Sequence, residues 1–138
     1  MTAIPISSAA RTSAFSAGNV GRAITALPVA FMVFDTAIKF THVDAVAQSF
    51  GQLGVPVNLA AVVGILELLC LAIYLIPSTA VLGAFLLTGY LGGAIALHVR
   101  VGNPLFSHIL FPTYVGALLW CGLYLREPRL RALLPIRR

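Results

Sequence analysis

Residues 79–99 contain no Asp, Glu, Lys or Arg, and this feature restricts the chain more than any other. A helix of that length crosses a hydrocarbon core of about 30 Å. At its centre stands Thr88-Gly-Tyr-Leu-Gly-Gly-Ala94, and His98-Val-Arg100 closes it. Gly89, Gly92, Gly93 and Ala96 are small enough to let another helix approach closely within a bilayer. The segment is therefore expected to be the packing axis of a membrane bundle.

Three further apolar runs complete the pattern. The first covers residues 22–40 and contains Pro28, which is expected to kink or loosen one turn. The second covers residues 58–76 and meets the third through a tight Pro77-Ser78 link. The fourth covers residues 109–124, interrupted early by Pro112, with Trp120 and Tyr124 near its exit, where amphipathic aromatics sit at headgroups. In the connection 41–57, Val43, Val46, Ala47 and Phe50 recur at three- and four-residue intervals. They predict a short amphipathic helix at the membrane interface, stopped by Gly51 and Gly54 and serving either as a lid over the bundle's end or as a packed loop.

The fold class expected is all-α, a bundle of four transmembrane helices over residues 22–125. It is flanked by a flexible tail at 1–21 and a basic tail at 126–138. The first tail is rich in Ser, Ala and Thr, carries only Arg11, and lacks the apolar core of a signal peptide. Composition agrees: 59% of residues are hydrophobic and 9% charged, against roughly 25% charged in soluble domains. The net charge of +5 does not describe a nucleic-acid surface, because the basic residues sit at the ends of apolar runs. Arg11, Arg22, Arg126, Arg129, Arg131, Arg137 and Arg138 fall on one side of a four-span topology, and only Lys39 and Arg100 on the other. The excess of positive charge predicts that both termini are cytoplasmic, in a bacterial-type inner membrane.

That orientation places the polar residues by depth. Asp35 and Lys39 are four apart and share a helix face in the outer half. Glu67 lies near the middle of the second run, where contact with lipid would cost several kcal/mol, so it must face protein or water. Tyr90, Ala94 and His98 occupy successive turns of one face, with Arg100 and His108 at the same outer level. The candidate ligand-binding residues are accordingly Asp35, Lys39, Glu67, Tyr90, His98 and Arg100, around a polar cavity with an apolar floor. A role as interfacial anchors accounts for Lys39, Arg100 and both histidines, but not for Glu67.

Other chemistries find little support. His42, His98 and His108 have no metal-ligand spacing on one helix, and no metal site is assigned. No nucleophile elbow frames a Ser or Thr. Cys70 and Cys121 form no Cys-x-x-Cys motif and read as packing residues that would meet only if their helices were neighbours.

Several segments in fixed order carry a family resemblance. They are Asp35-x-x-x-Lys-Phe40, Phe50-Gly-Gln-Leu-Gly-Val-Pro56, Gly64-Ile-Leu-Glu-Leu68, Ile76-Pro-Ser-Thr79, the run from Leu86 to Ala94, His98-Val-Arg-x-Gly-x-Pro104 and Leu119-Trp-x-Gly-Leu-Tyr-Leu-Arg126. Over residues 23–131 the chain resembles the DoxX-like family of small membrane proteins. The resemblance implies a four-helix membrane bundle but no single reaction: the family name comes from a subunit associated with thiosulfate and quinone oxidation, some relatives belong to oxidative-stress systems, and distant ones assist ion-channel assembly. The architecture is also similar to sterol-isomerase and sigma-type receptor proteins, whose intramembrane acids engage cationic ligands. It is similar as well to vitamin K epoxide reductases, whose Cys-x-x-Cys this chain lacks.

The leading expectation is a membrane protein that binds a small lipophilic or amphipathic molecule in an outer-half cavity. Glu67 and Asp35 would orient its polar or cationic group. Two alternatives stand beside it: a membrane subunit of a quinone-linked oxidoreductase, with quinone as cofactor, and an assembly partner or homodimer that packs through the glycines of the third run. No reaction is assigned.

Overall fold

The computed structural model describes residues 17–41 and 43–133, and every regular element among them is helical. The helices are α1 (Ala17–Lys39), α2 (Asp44–Gln52), α3 (Ala60–Leu75), α4 (Ala80–Arg100), α5 (Phe111–Arg126) and α6 (Pro128–Leu133). α1, α3, α4 and α5 form a ring in which α1 packs on α3 and α5, and α4 packs on the same two from the other side. All four segments are long and apolar enough to cross a membrane. Their outward faces carry Leu27, Phe34, Val62, Leu69, Leu82 and Phe85, as a lipid-facing surface requires.

Two spans need help to reach that length. α3 and α5 have 16 residues each, short of the ~20 that a bilayer asks for. A 3₁₀ turn at Val57–Leu59 leads into α3, and a π turn at Leu105–Ile109 stands before α5. With these the spans reach 19 and 22 residues. Pro112 stands where the fourth span passes from the π turn into α5: it sits in the first turn of α5, where a missing N–H leaves no bond unmade. α1 continues through Pro28, whose ring is buried.

α1 starts at Ala17, ahead of the expected boundary at 22, and the rest of the predicted tail, with Arg11, lies outside the described residues. The basic tail likewise begins as structure: α6 docks Leu130 into the bundle core, while Arg137 and Arg138 lie outside the described residues. α2 occupies the connection between the first two spans, ends at Gln52, and is followed by Gly54 at φ +63°, a backbone state that favours glycine.

The end of the bundle that holds the start of α1 and the end of α5 is closed by backbone approach. Gly83 of α4 lies so close to Tyr74 of α3 that a Cβ would overlap the Tyr74 backbone. Gly21 and Gly122 join α1 to α5 in the same way. Tyr74 is completely buried and donates its hydroxyl to the Leu119 carbonyl at 2.8 Å. These are not the glycines expected to mediate packing: Gly89, Gly92 and Gly93 face outward, and a Cβ on any of them would meet open space.

Trp120 joins two spans. Its indole N–H donates to Thr88 Oγ1 at 2.9 Å, and its ring meets Phe85 edge-on at 5.2 Å. It ties α5 to the middle of α4. Cys70 is buried in the core and Cys121 is exposed, on helices diagonal in the ring, and both are free thiols.

Candidate functional site

The opposite end is organised by charge. The i, i+4 spacing on α1 stacks Asp35 and Lys39 on one face, and α3 brings Glu67 against them. Closeness at this seam depends on Gly64, one turn before Glu67, because a Cβ there would lie 3.2 Å from Lys39 Cβ and 3.4 Å from the Phe40 ring. α4 supplies Tyr90 from across the ring.

Lys39 is the hub. Its Nζ donates to Asp35 Oδ2, to Glu67 Oε2 at 2.5 Å and to the Tyr90 hydroxyl at 3.0 Å. All three ammonium protons therefore have acceptors. Tyr90 passes its own proton on, donating to Glu67 Oε2 at 3.0 Å. Glu67 is 1% exposed, the Lys39 side chain 10% and the Asp35 side chain 36%, so the cluster runs from a sealed interior to a half-open edge. With the ammonium and both carboxylates ionised it carries one net negative charge. An ion pair this buried persists only when its remaining hydrogen-bonding capacity is met, and Tyr90 contributes to that.

Beside the cluster lies a cavity of about 320 Å³. Asp35, Lys39, Glu67, Tyr90 and His98 form its polar wall, and Phe31, Met32, Leu91, Phe111 and Val115 form much of the apolar remainder. Phe31 and Phe111 close one corner edge-to-face at 5.1 Å. Ser49, Phe50, Leu53 and Val55, from α2 and the turn after it, supply the roof.

Of the six residues expected at the site, Asp35, Lys39, Glu67 and Tyr90 meet directly. His98 stands on the cavity wall apart from them, with Nδ1 accepting from Asn103 Nδ2 at 2.7 Å and its ring 5.6 Å from that of His108. Arg100 is not part of the cluster. It turns away toward α2, and its guanidinium donates to the Leu53 carbonyl at 2.5 Å. Being the last residue of α4, it extends beyond the bundle and reaches the connection, not the interior. His108 bonds Ser107 through Nδ1 at 2.8 Å.

His42 lies outside the described residues. Among those described, no three His, Cys, Asp or Glu side chains gather as metal ligands would. Sequence reasoning missed Gly64 as a spacer, the Phe31–Phe111 corner and Asn103 as the partner of His98. The Gly64-x-x-Glu67 spacing was the available signal for the first, since it sets a missing side chain one turn from the acid.

The DoxX-like family model matches residues 23–122, which takes in most of all four spans and every residue of the cluster. No curated protein and no solved structure matches the chain. This chain, with four membrane-competent helices in one bundle, belongs to the DoxX-like family.

Proposed function

We propose that the protein binds a small lipophilic or amphipathic molecule in the cavity beside Lys39, with the molecule's polar group against Glu67 and Asp35. The observation that carries this reading is Glu67: a carboxylate 1% exposed, at mid-length of a membrane-competent helix, on the wall of a hollow of about 320 Å³. A residue needed only for packing would not require a charge there, whose unpaired cost is several kcal/mol. The volume lies at the lower end of the ~300–1,000 Å³ common for small-molecule sites.

The polar end favours a group that donates hydrogen bonds. The Lys39 ammonium and Tyr90 hydroxyl protons are engaged inside the cluster, whereas Asp35 Oδ1 and Glu67 Oε1 accept from no described side chain. A quinone carbonyl, the head group required by the oxidoreductase reading, would find its donor at His98 and not at the cluster. The same proposal includes topology. It has the termini in the cytoplasm and the cavity in the outer half of a bacterial-type inner membrane, a reading supported by Arg22, Arg126, Arg129 and Arg131 at one end of the bundle against Lys39 and Arg100 at the other.

The test is native mass spectrometry with lipid extraction on protein purified in mild detergent, alongside Glu67→Gln and Asp35→Asn. A stoichiometric small molecule in the parent, diminished in both variants, supports the reading and by its identity separates a quinone from other amphipaths. Equal occupancy in all three sinks it. A second reading, assembly with another membrane protein or a second copy of the chain, is favoured by the outward-facing Gly89, Gly92 and Gly93. Bulky substitution there would disrupt a complex and leave cavity occupancy alone.

A further inference from the structure

α2 is attached to the bundle differently from every other long element. Only Val46 and Phe50 of its residues are buried. With Ala60 they form a small apolar cluster, flanked by Ile38, Val55 and Val63, that is separate from the main core of the bundle. A segment with so few buried contacts opens at lower free energy than the core it covers.

Two hollows lie on either side of this segment. The cavity has Ser49, Phe50 and Leu53 on its roof, and a cleft of about 620 Å³ has Val43, Val46 and Ala47 on its wall. Lys39 borders both. Raising α2 would join the apolar cleft to the cavity, with the Lys39 cluster at the junction.

One side chain of a wall helix holds the end of α2 down. Arg100 closes α4, which also provides Tyr90, Leu91, Ala94, Leu97 and His98 to the cavity, and its guanidinium donates to Leu53 O just past the last turn of α2. A cation at that place is doubly suited, because it meets an otherwise open carbonyl and the negative end of the helix dipole. Gly54, at φ +63°, follows immediately, and a Cβ there would lie 2.6 Å from Arg100 Nη2. Glycine thus suits the turn, and its lack of a side chain leaves room for the arginine to reach over it.

We propose that α2 is a lid over the cavity and that Arg100 is its latch, releasing the turn after α2 to admit a molecule through the apolar cleft. As regulation of a binding site the proposal rests on the reading above, but the lid itself is measurable without any ligand. The reporter is Ala94→Cys on the cavity wall, in a chain with Cys70→Ala and Cys121→Ala, and the measurement is its rate of modification by a charged maleimide in mild detergent. Loss of one charged hydrogen bond is expected to speed the reaction about tenfold in Arg100→Ala, with Arg100→Lys close to the parent. Val46→Ala, which weakens the apolar seat and leaves the latch intact, is also expected to accelerate it.

The control retains Cys70 in the core and lacks the reporter. Its rate is expected to be unchanged by Arg100→Ala, and a parallel rise would mean general loosening and overturn the proposal. Unchanged reporter rates in both Arg100→Ala and Val46→Ala overturn it as well. Failure here leaves the mass-spectrometric test of binding untouched, and absence of a bound molecule there leaves the labelling result standing.

Discussion

The two ends of the bundle use the same four helices in opposite ways. At the end holding the start of α1 and the end of α5, glycines bring backbones together: Gly83 on Tyr74, and Gly21 on Gly122. At the other end the helices stand apart around a hollow, and Lys39, Asp35, Glu67 and Tyr90 bridge the gap with hydrogen bonds. In a membrane the apolar effect does not drive helices together, so close packing and polar bonds must do it. The chain places close packing at one end and polar bonds around the hollow at the other. This division implies that the packed end carries most of the support of the fold.

The comparison breaks first, and most severely, at Gly83. Gly83→Val sets a Cβ into the Tyr74 backbone, which cannot rotate aside, so a loss of at least ~3 kcal/mol is expected. It would be read as collapse of the thermal transition in detergent. Gly93→Val, on the same helix but facing open space, is expected to melt with the parent. If the two variants behaved alike, the packed end would not be the support of the bundle.

Next in size is the hub of the hollow end. Lys39→Met leaves Glu67 buried without its cation, and removing one partner of a buried pair costs ~3–5 kcal/mol. Adding Glu67→Gln removes the stranded charge, and most of the stability is expected to return. Thermal unfolding of the two variants against the parent checks both statements. A double variant no better than Lys39→Met would mean that the lysine acts through its stem packing alone.

What the sequence discloses follows this same division. Span number, order and approximate limits are set by runs of apolar residues, because a bilayer admits only segments whose backbone groups are internally satisfied. The Asp35–Lys39 pair is local, and the depth of Glu67 is a matter of counting, so the heart of the cluster can be found from the chain alone. Helix rotation is another matter. α3, α4 and α5 are apolar on nearly all sides, so no amphipathic face declares which residues turn inward. Gly83 and Gly93 are therefore indistinguishable by pattern, although one is at a backbone crossing and the other meets nothing. Arg100 escaped for a related reason: at the end of a helix its long side chain is free to swing toward the cavity or the loop, and the Leu53 carbonyl decides.

A smaller effect is expected at Gly64, where the hollow end comes closest to packing like the other. A Cβ there meets Lys39 Cβ at 3.2 Å and the Phe40 ring at 3.4 Å, distances that a slight shift of α1 would relieve. Gly64→Ala should cost ~1 kcal/mol, toward the mild side of overpacking. Because the shift carries Lys39 with it, occupancy of the cavity by any co-purified molecule should fall more than stability does, a contrast read by native mass spectrometry beside a melt.

The smallest effect belongs to the seam between the two ends, where Trp120 of α5 donates to Thr88 of α4. Thr88 also donates to the Ala84 carbonyl at 2.8 Å, so its hydroxyl is held in place to receive the indole. Interhelical hydrogen bonds in bilayers average only ~0.6 kcal/mol, because each group finds other partners when the helices separate. Trp120→Phe, which retains a ring to meet Phe85, and Thr88→Val are each expected to lower stability by about that amount, and the double variant by scarcely more than either alone. That shortfall from additivity is what the thermal melts must show. A tryptophan acting only as a headgroup anchor would make Thr88→Val independent of it, and the two losses would simply add.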